Sequence, residues 1–528
     1  MIQSSRREIL SALAWGGGLL SAGLVTATKA AKARTTPELP PIAVIALNRM
    51  AFGARPGDGE RVQQMGFAAY VEEQLYPQEG EDAIAQDRLA NARLRIEYEA
   101  GQNYPALQED RPLRTLDAPL SQLWPLTDYN QNHYAEWMRP VEEVRAATWI
   151  RAIYSQWQLR EVLVDFWHNH FNVNAYMGDS RVSVAFPAYD RMIRQNCFGN
   201  FRTLLEGVAK SPPMLVYLNN ASSKASPANE NYARELLELH TLGVEHYFND
   251  LYDRWQSVPG ATQGRAEGYI DQDVYEAARA FTGWAIADGT QTEGNTFPNT
   301  GEFYYYEAWH DSYQKRFLGV EFPPNRPPLA DGYQVLDLVA AHPGTAQHLC
   351  TKLCRRLVAD HPPASLVNQA VQTWMNAQQA PDQILQTVRT ILRSAEFTQT
   401  WGQKVKRPFE LVISFFRATE ADFRFTPQCS YILDTMGQSL FAWKTPTGHP
   451  DRAEDWINTN IDGRLGRVGG GCVPFGRSNA AGGKDGTTDR GLLGLAVSGA
   501  IAHSPRLRPL AVLHQSRHQP RRSTHSRR

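Results

Sequence analysis

The chain has 528 residues, 42% of them hydrophobic and 21% charged, which is the balance of an ordinary globular protein. A net charge of −1 gives no case for nucleic acid or an anionic surface as the main partner. Five cysteines exclude a scaffold built on disulfides, though not a single bridge.

Read in chain order, the first feature is Arg6-Arg7 followed by a weakly apolar run from Ile9 to Val25, diluted by Gly16, Gly17, Gly18 and Gly23. The run is shorter than the roughly 20 apolar residues of a bilayer span. With the small-residue end Ala31-Lys32-Ala33 it reads as a cleavable signal peptide over 1–33. The paired arginines and Lys29 select the twin-arginine route, which carries folded cargo out of the cell. The competing reading is a short membrane anchor that is never cut. The expected location is periplasmic or secreted, with no transmembrane span in the mature chain.

Beyond residue 33, apolar residues recur at spacings of three and four and predict helices. They cover Val141–Trp157, Leu159–His170, Asn229–Leu242, Asp271–Phe281, Val335–Ala341, Ala346–Val358, Ala364–Ala377, Ile384–Ser394, Val405–Ala418 and Tyr431–Leu440. Strand signals are confined to pieces such as Phe303–Tyr306 and Phe317–Val320. The fold class is therefore mainly α, a large helical array over 34–465 with long loops and at most a small β-hairpin. Phe248–Gly268 reads as a mobile loop, and Asp288–Asn299 is similar; loops of this length are either disordered or lids over a site. From about Gly469 the composition turns to glycine and then arginine, ending Arg527-Arg528. The segment 466–528 reads as a disordered basic tail. An anchor to anionic lipid or polysaccharide is one reading of it. The preferred one is a frameshift that has replaced a C-terminal helix.

Three clusters could carry chemistry. In the first, Glu161, Asp165, His168 and Asn169 share one helical stripe, and His170 joins His168 if the helix ends there. A carboxylate one turn before a histidine can hold its ring and fix its tautomer, as a metal ligand or general base requires. The plain alternative is a packed Trp167 and Phe171 with both histidines satisfied by carbonyls. In the second, Glu230, Arg234 and Glu238 stack at four-residue intervals beside Asn231 and Glu235, with His240 near the helix end and Gly243 as its stop. Exposed ion pairs explain such a face equally well. The third is the loop pair His310-Asp311, able to complete a metal site or merely to cap a turn. A Gly-x-Ser-x-Gly elbow, a P-loop, a dinucleotide fingerprint and a His-Glu-x-x-His motif are all absent from the sequence.

Taken together, several strings resemble the bacterial domain-of-unknown-function family 1800. They are Leu47–Gly53, Phe166–Phe171, Asn229–Gly243, Ala278–Trp284, His310-Asp311, Lys406-Arg407-Pro408 and Met436-Gly437-Gln438. The likeness runs from about residue 42 to about 464. It implies an exported protein, often encoded beside an exported protein of family 1501, which is the expected partner. It implies no established activity and no catalytic residue.

The expectation from the residues is a metal-dependent enzyme of the cell envelope, hydrolytic or redox. His168, His170, Glu235, Glu238 and His240 would bind a divalent zinc, iron or manganese ion. Asp165 would orient the histidines, Arg234 would orient the carboxylates or bind an anionic group, and His310 and Asp311 would complete the site. The competing expectation is a non-catalytic helical scaffold or maturation partner, its polar stripes fixing helix register. The enzyme requires that the distant imidazoles and carboxylates meet in one hollow.

Overall fold

Between Ile42 and Trp456 the described residues form twenty α-helices and four two-stranded antiparallel sheets. This computed structural model describes residues 39–457 except 79 and 81. The expected signal peptide and basic tail lie outside the described residues. Among those described, no helix is long and apolar enough to cross a membrane.

The chain opens with α1 (Ile42–Arg49), α2 (Asp58–Met65), α3 (Phe67–Leu75) and α4 (Ala83–Asn91). The β1–β2 hairpin (Arg93–Tyr98 with Leu107–Pro112) and a short α5 (Leu120–Leu123) follow. The middle of the fold holds α6 (Tyr134–Tyr154), α7 (Gln158–His170), α8 (Ser180–Asn196), α9 (Phe201–Lys210) and α10 (Pro212–Tyr217). Next come α11 (Asn231–Glu235), continuing as a π-turn over Leu236–His240, and α12 (Asp271–Ala280). The hairpins then pair β3 (Trp284–Asp288) with β6 (Asn299–Tyr305), β4 (Gln291–Thr292) with β5 (Asn295–Thr296), and β7 (Lys315–Phe317) with β8 (Val320–Phe322), all antiparallel. The C-terminal helices are α13 (Ala330–Ala341), α14 (Pro343–Leu357), α15 (Ala364–Asn376), α16 (Gln383–Leu392), α17 (Ala395–Gln399), α18 (Pro408–Thr419), α19 (Pro427–Thr435) and α20 (Ala453–Trp456).

The central helix is α6, with 14 of its 21 residues buried on all sides. Trp149 anchors it among the rings of Phe409, Phe416, Phe423 and Phe425, which ties α6 to α18 and the segment after it. Each fully buried ring of this kind contributes about 2–3 kcal/mol relative to exposure. The Gln158 amide donates to the carbonyls of Ala152 and Ser155 at 3.1 and 2.9 Å, closing α6 and opening α7 in the same turn. Trp167 forms a second node with Phe171 and Phe201 and donates to the Cys197 carbonyl at 3.1 Å.

The mainly α class is as the sequence predicts, with differences at its edges. The helix expected to reach Trp157 stops at Tyr154, and Trp157 instead precedes α7. The stretch expected as a helix over Tyr431–Leu440 starts earlier, at Pro427, and stops at Thr435, because Gly437 turns the chain with φ of 87°. Phe317–Val320 holds a turn through Leu318 and Gly319 rather than a strand. The expected Asp288–Asn299 loop contains the β4–β5 hairpin. Phe248–Gly268 folds into short 3₁₀ turns. Its neck is closed by Phe248 donating to Tyr269 and Tyr269 to His246, with the Tyr247 and Tyr269 rings stacked at 5.1 Å.

Candidate functional site

The polar stripe of α7 forms as expected, but buried cations from other helices meet it. Arg194 of α8 donates to both Glu161 oxygens at 3.0 and 2.9 Å and to Asp190 at 3.1 Å. The His168 ring lies 3.0 Å from Asp190, between Phe186, Tyr189 and Phe441. Burial pushes the Asp190 carboxyl up, but Arg194, His168 and Arg151 outweigh it and hold it well below the carboxylate range. The carboxylate that orients His168 is thus Asp190, not Asp165. Asp165 instead accepts from Arg407, which is 2% exposed, with Arg356 at 3.5 Å. Those two arginines also hold Glu410, which is pulled down to about 2 against its own burial. Lys404 extends this network to Asp360 and Asp451 at 3.2 and 3.0 Å. A hollow of about 20 Å³ beside His168, Asp165 and Phe441 has room for no more than a water molecule.

His170 faces another way. Its Nε2 donates to the His240 carbonyl at 3.1 Å, so the neutral ring carries its proton there and its Nδ1 is an acceptor. That Nδ1 receives a hydrogen bond from Lys352 Nζ of α14 at 2.9 Å. The ring of His240 lies 6.1 Å from that of His170, and the ring of His348 lies 6.3 Å from it. His240 is completely buried, and neither of its ring nitrogens has a partner among the described residues. His348 donates to the Leu239 carbonyl at 3.2 Å and stands 3.8 Å from Glu245.

All three imidazoles are neutral by environment. Burial, then the Lys352 charge and the neighbouring histidines, push His170 far below its ordinary value. Burial and the same neighbours bring His240 down to about 3. Burial also lowers His348, with Glu245 opposing it. Lys352 itself is pulled down to about 8, since burial outweighs the distant charge of Asp451.

The π-turn produces this arrangement. Its wide winding ends with the Thr241 hydroxyl donating to Leu236 at 2.6 Å and the Gly243 amide to Leu237 at 3.0 Å. The His240 carbonyl is left without a helical donor and takes the one from His170. Gly243, the expected stop, has φ of 88°, and a Cβ there would stand 2.6 Å from both His348 Nδ1 and the Glu245 carboxylate. Asn169 exchanges hydrogen bonds of 2.8 and 2.7 Å with the His449 backbone. Asn172 donates to the carbonyls of Trp443 and Thr445. Together they strap residues 443–449 onto the end of α7.

The other expected site residues fall elsewhere. Glu235 and Glu238 are half-buried without a hydrogen bond or ion pair among the described residues, and burial followed by repulsion from Glu238 pushes Glu235 up to about 7. Arg234 does not hold them: it reaches Glu230 at 3.3 Å and Asp271 at 3.2 Å. His310 and Asp311 belong to a separate buried knot. Arg279 grips Asp311 at 2.7 and 3.0 Å, and Asp331 gathers His310, Lys315 and Arg326 at 3.3, 2.7 and 3.1 Å. His168, His170 and His310 each have different partners, so the expected single hollow divides. Among the described residues no three His, Cys, Asp or Glu side chains are placed to hold one metal ion.

A family model described as a protein of unknown function, DUF1800, matches residues 45–467. The chain belongs to this family. No curated protein and no solved structure matched in the comparisons. In space, three of the strings that carry the family likeness meet along α7, two of them at its end and the third at Asp165 in the middle of the helix. Phe166–Phe171 supplies His170, Asn229–Gly243 supplies His240, and Lys406-Arg407-Pro408 supplies the arginine on Asp165.

Sequence reasoning missed Lys352, His348, Asp190 and Arg194. A signal existed for the first two, since His348 and Lys352 are four apart on a helix that the periodicity predicts, and so share a face. The same spacing places Cys350 and Cys354 on another face, where both are buried free thiols. Nothing in the sequence says which face meets α7.

Proposed function

We propose that the chain is an exported cell-envelope enzyme of hydrolytic class, working by acid–base chemistry at the His170–Lys352 pair. The observation that carries this reading is the 2.9 Å contact of Lys352 Nζ with His170 Nδ1, made with no carboxylate at ion-pair distance from the ammonium among the described residues. A lysine pulled down to about 8 exchanges its proton near working pH, where general bases are most effective. His170 cannot take that proton readily, so it orients the amine through a fixed tautomer. His240 and His348 keep the pair in neutral, sheltered surroundings. Export rests on Arg6-Arg7 and the apolar run after it.

A divalent metal fits this donor set less well. His170 Nε2 and His348 Nε2 already donate to carbonyls, and both bonds would have to break before those nitrogens could bind an ion.

The test is hydrolysis of chromogenic esters, amides and glycosides from pH 6 to 9 by the purified chain. The expected result is activity that rises through about pH 8. It should fall about a hundredfold or more in Lys352→Met and His170→Ala variants of unchanged fold. Activity untouched in both variants removes the reading.

A second reading, a helical scaffold that docks or matures an exported protein of family 1501, is favoured by the buried ion-pair networks around Asp190, Glu410 and Asp331, which tie helices together. It expects no hydrolysis and a stable complex with that partner when the two are co-expressed.

A further inference from the structure

A cleft of about 730 Å³ opens between the loop after α10 and the β3–β6 region, well within the size range of small-ligand sites. One wall is the Asn219–Lys224 loop; the other is the β4–β5 hairpin with Tyr306 and Trp309. This hairpin lies in the Asp288–Asn299 segment, which the sequence reads as either disordered or a lid over a site. We propose that the cleft binds a neutral oligosaccharide.

The lining selects that chemistry. Tyr306 and Trp309 are half-buried, with ring centroids 5.5 Å apart at 77°; Phe297 packs against both and Lys224 lies over Trp309, and the ring surface that still lines the cleft is apolar and suits the C–H faces of a sugar. Formal charge is balanced, with Arg181 and Lys224 against Asp288 and Glu293. Arg181 is already committed to Asp179 at 2.8 Å and Asp288 at 3.1 Å. The Lys224 ammonium sits 4.4 Å over the Trp309 ring. An anion would meet the carboxylates and a cation the guanidinium and ammonium, so neither sign is preferred. An apolar ligand would strip water from Asp288, Thr290 and Thr292 without replacing their hydrogen bonds. Thr292 donates to the Asn295 carbonyl at 3.1 Å and accepts from the Tyr306 hydroxyl at 3.3 Å, which places a hydroxyl pair at the edge of an aromatic face. Donors and acceptors of both kinds beside flat rings, without net charge, match a polyhydroxylated chain. The site uses none of the groups around Lys352, so it stands whether or not that pair is catalytic.

The experiment is isothermal calorimetry of the full chain with cellohexaose, maltohexaose, chitohexaose and mannohexaose, beside an anionic hexagalacturonate and a neutral hexapeptide. Saturable binding of at least one neutral hexaose is expected, weakened about tenfold or more by Trp309→Ala, equivalent to about 1.4 kcal/mol. Thr292→Val, a smaller change, should weaken the same ligand in the same direction and guards against a Trp309 variant that fails to fold. Overturning results are no binding of any neutral hexaose, tighter binding of the anionic chain or the peptide, or affinity unaltered in the folded variants.

Discussion

His240 is a costly residue to keep. It is fully buried with two unpartnered ring nitrogens, and a buried polar group without a hydrogen bond costs about 1–3 kcal/mol. Its titration sets a pH dependence of definite sign. The unfolded histidine takes up a proton below about pH 6.5, whereas the folded one resists until about 3. The folded state is therefore at full strength above pH 6.5 and loses ground as the pH falls toward 3. At about 1.4 kcal/mol per pH unit, His240 alone removes about 2 kcal/mol between pH 6.5 and 5. His170, pushed in the same direction, adds to the loss. His240→Phe should keep or slightly raise stability at pH 7 and flatten the acid slope by about 2 kcal/mol over that interval. Urea unfolding at pH 7 and pH 5 measures both; an unchanged slope would mean that the ring is solvated or partnered.

Helices here are locked in register by buried charge as much as by apolar packing. The Arg407 side chain joins α7 through Asp165 to the start of α18 through Glu410, and Arg356 brings α14 into the same knot. Such networks add little net stability when complete, but removing one partner strands a buried charge and costs about 3–5 kcal/mol. Arg407→Met should lose that amount, whereas Arg61→Met, whose ion pair with Glu73 lies at the surface, should lose less than about 1 kcal/mol. Denaturant midpoints of the two variants check this. Equal losses would show that the knot is not a structural lock.

Across the molecule, periodicity predicts most helix positions because a 3.6-residue stripe is a local property of the chain. The β4–β5 hairpin escapes because its strands are two residues long and carry no alternation. The candidate site was legible in half. His170 and His240 lie in strings that can be singled out by composition alone, and they do meet. Lys352 completes them from a helix 182 residues further on, and only tertiary packing aligns its face with α7. Glu161, Asp165, His310 and Asp311 look the same in sequence as site residues would, since a carboxylate beside a histidine reads alike whether a substrate or an arginine sits opposite. What separates the two cases is the partner, which spacing does not encode.

The proposed chemistry turns on a Lys352 ammonium that gives up its proton near pH 8, and its titration decides the matter. Reductive methylation with ¹³C-formaldehyde and NMR of the labelled lysines, with Lys352→Arg to assign the resonance, gives the midpoint directly. A midpoint of about 8 is expected. A value near the ordinary 10.4 or so of an exposed lysine would contradict the sheltered His170–Lys352 pair and the chemistry built on it.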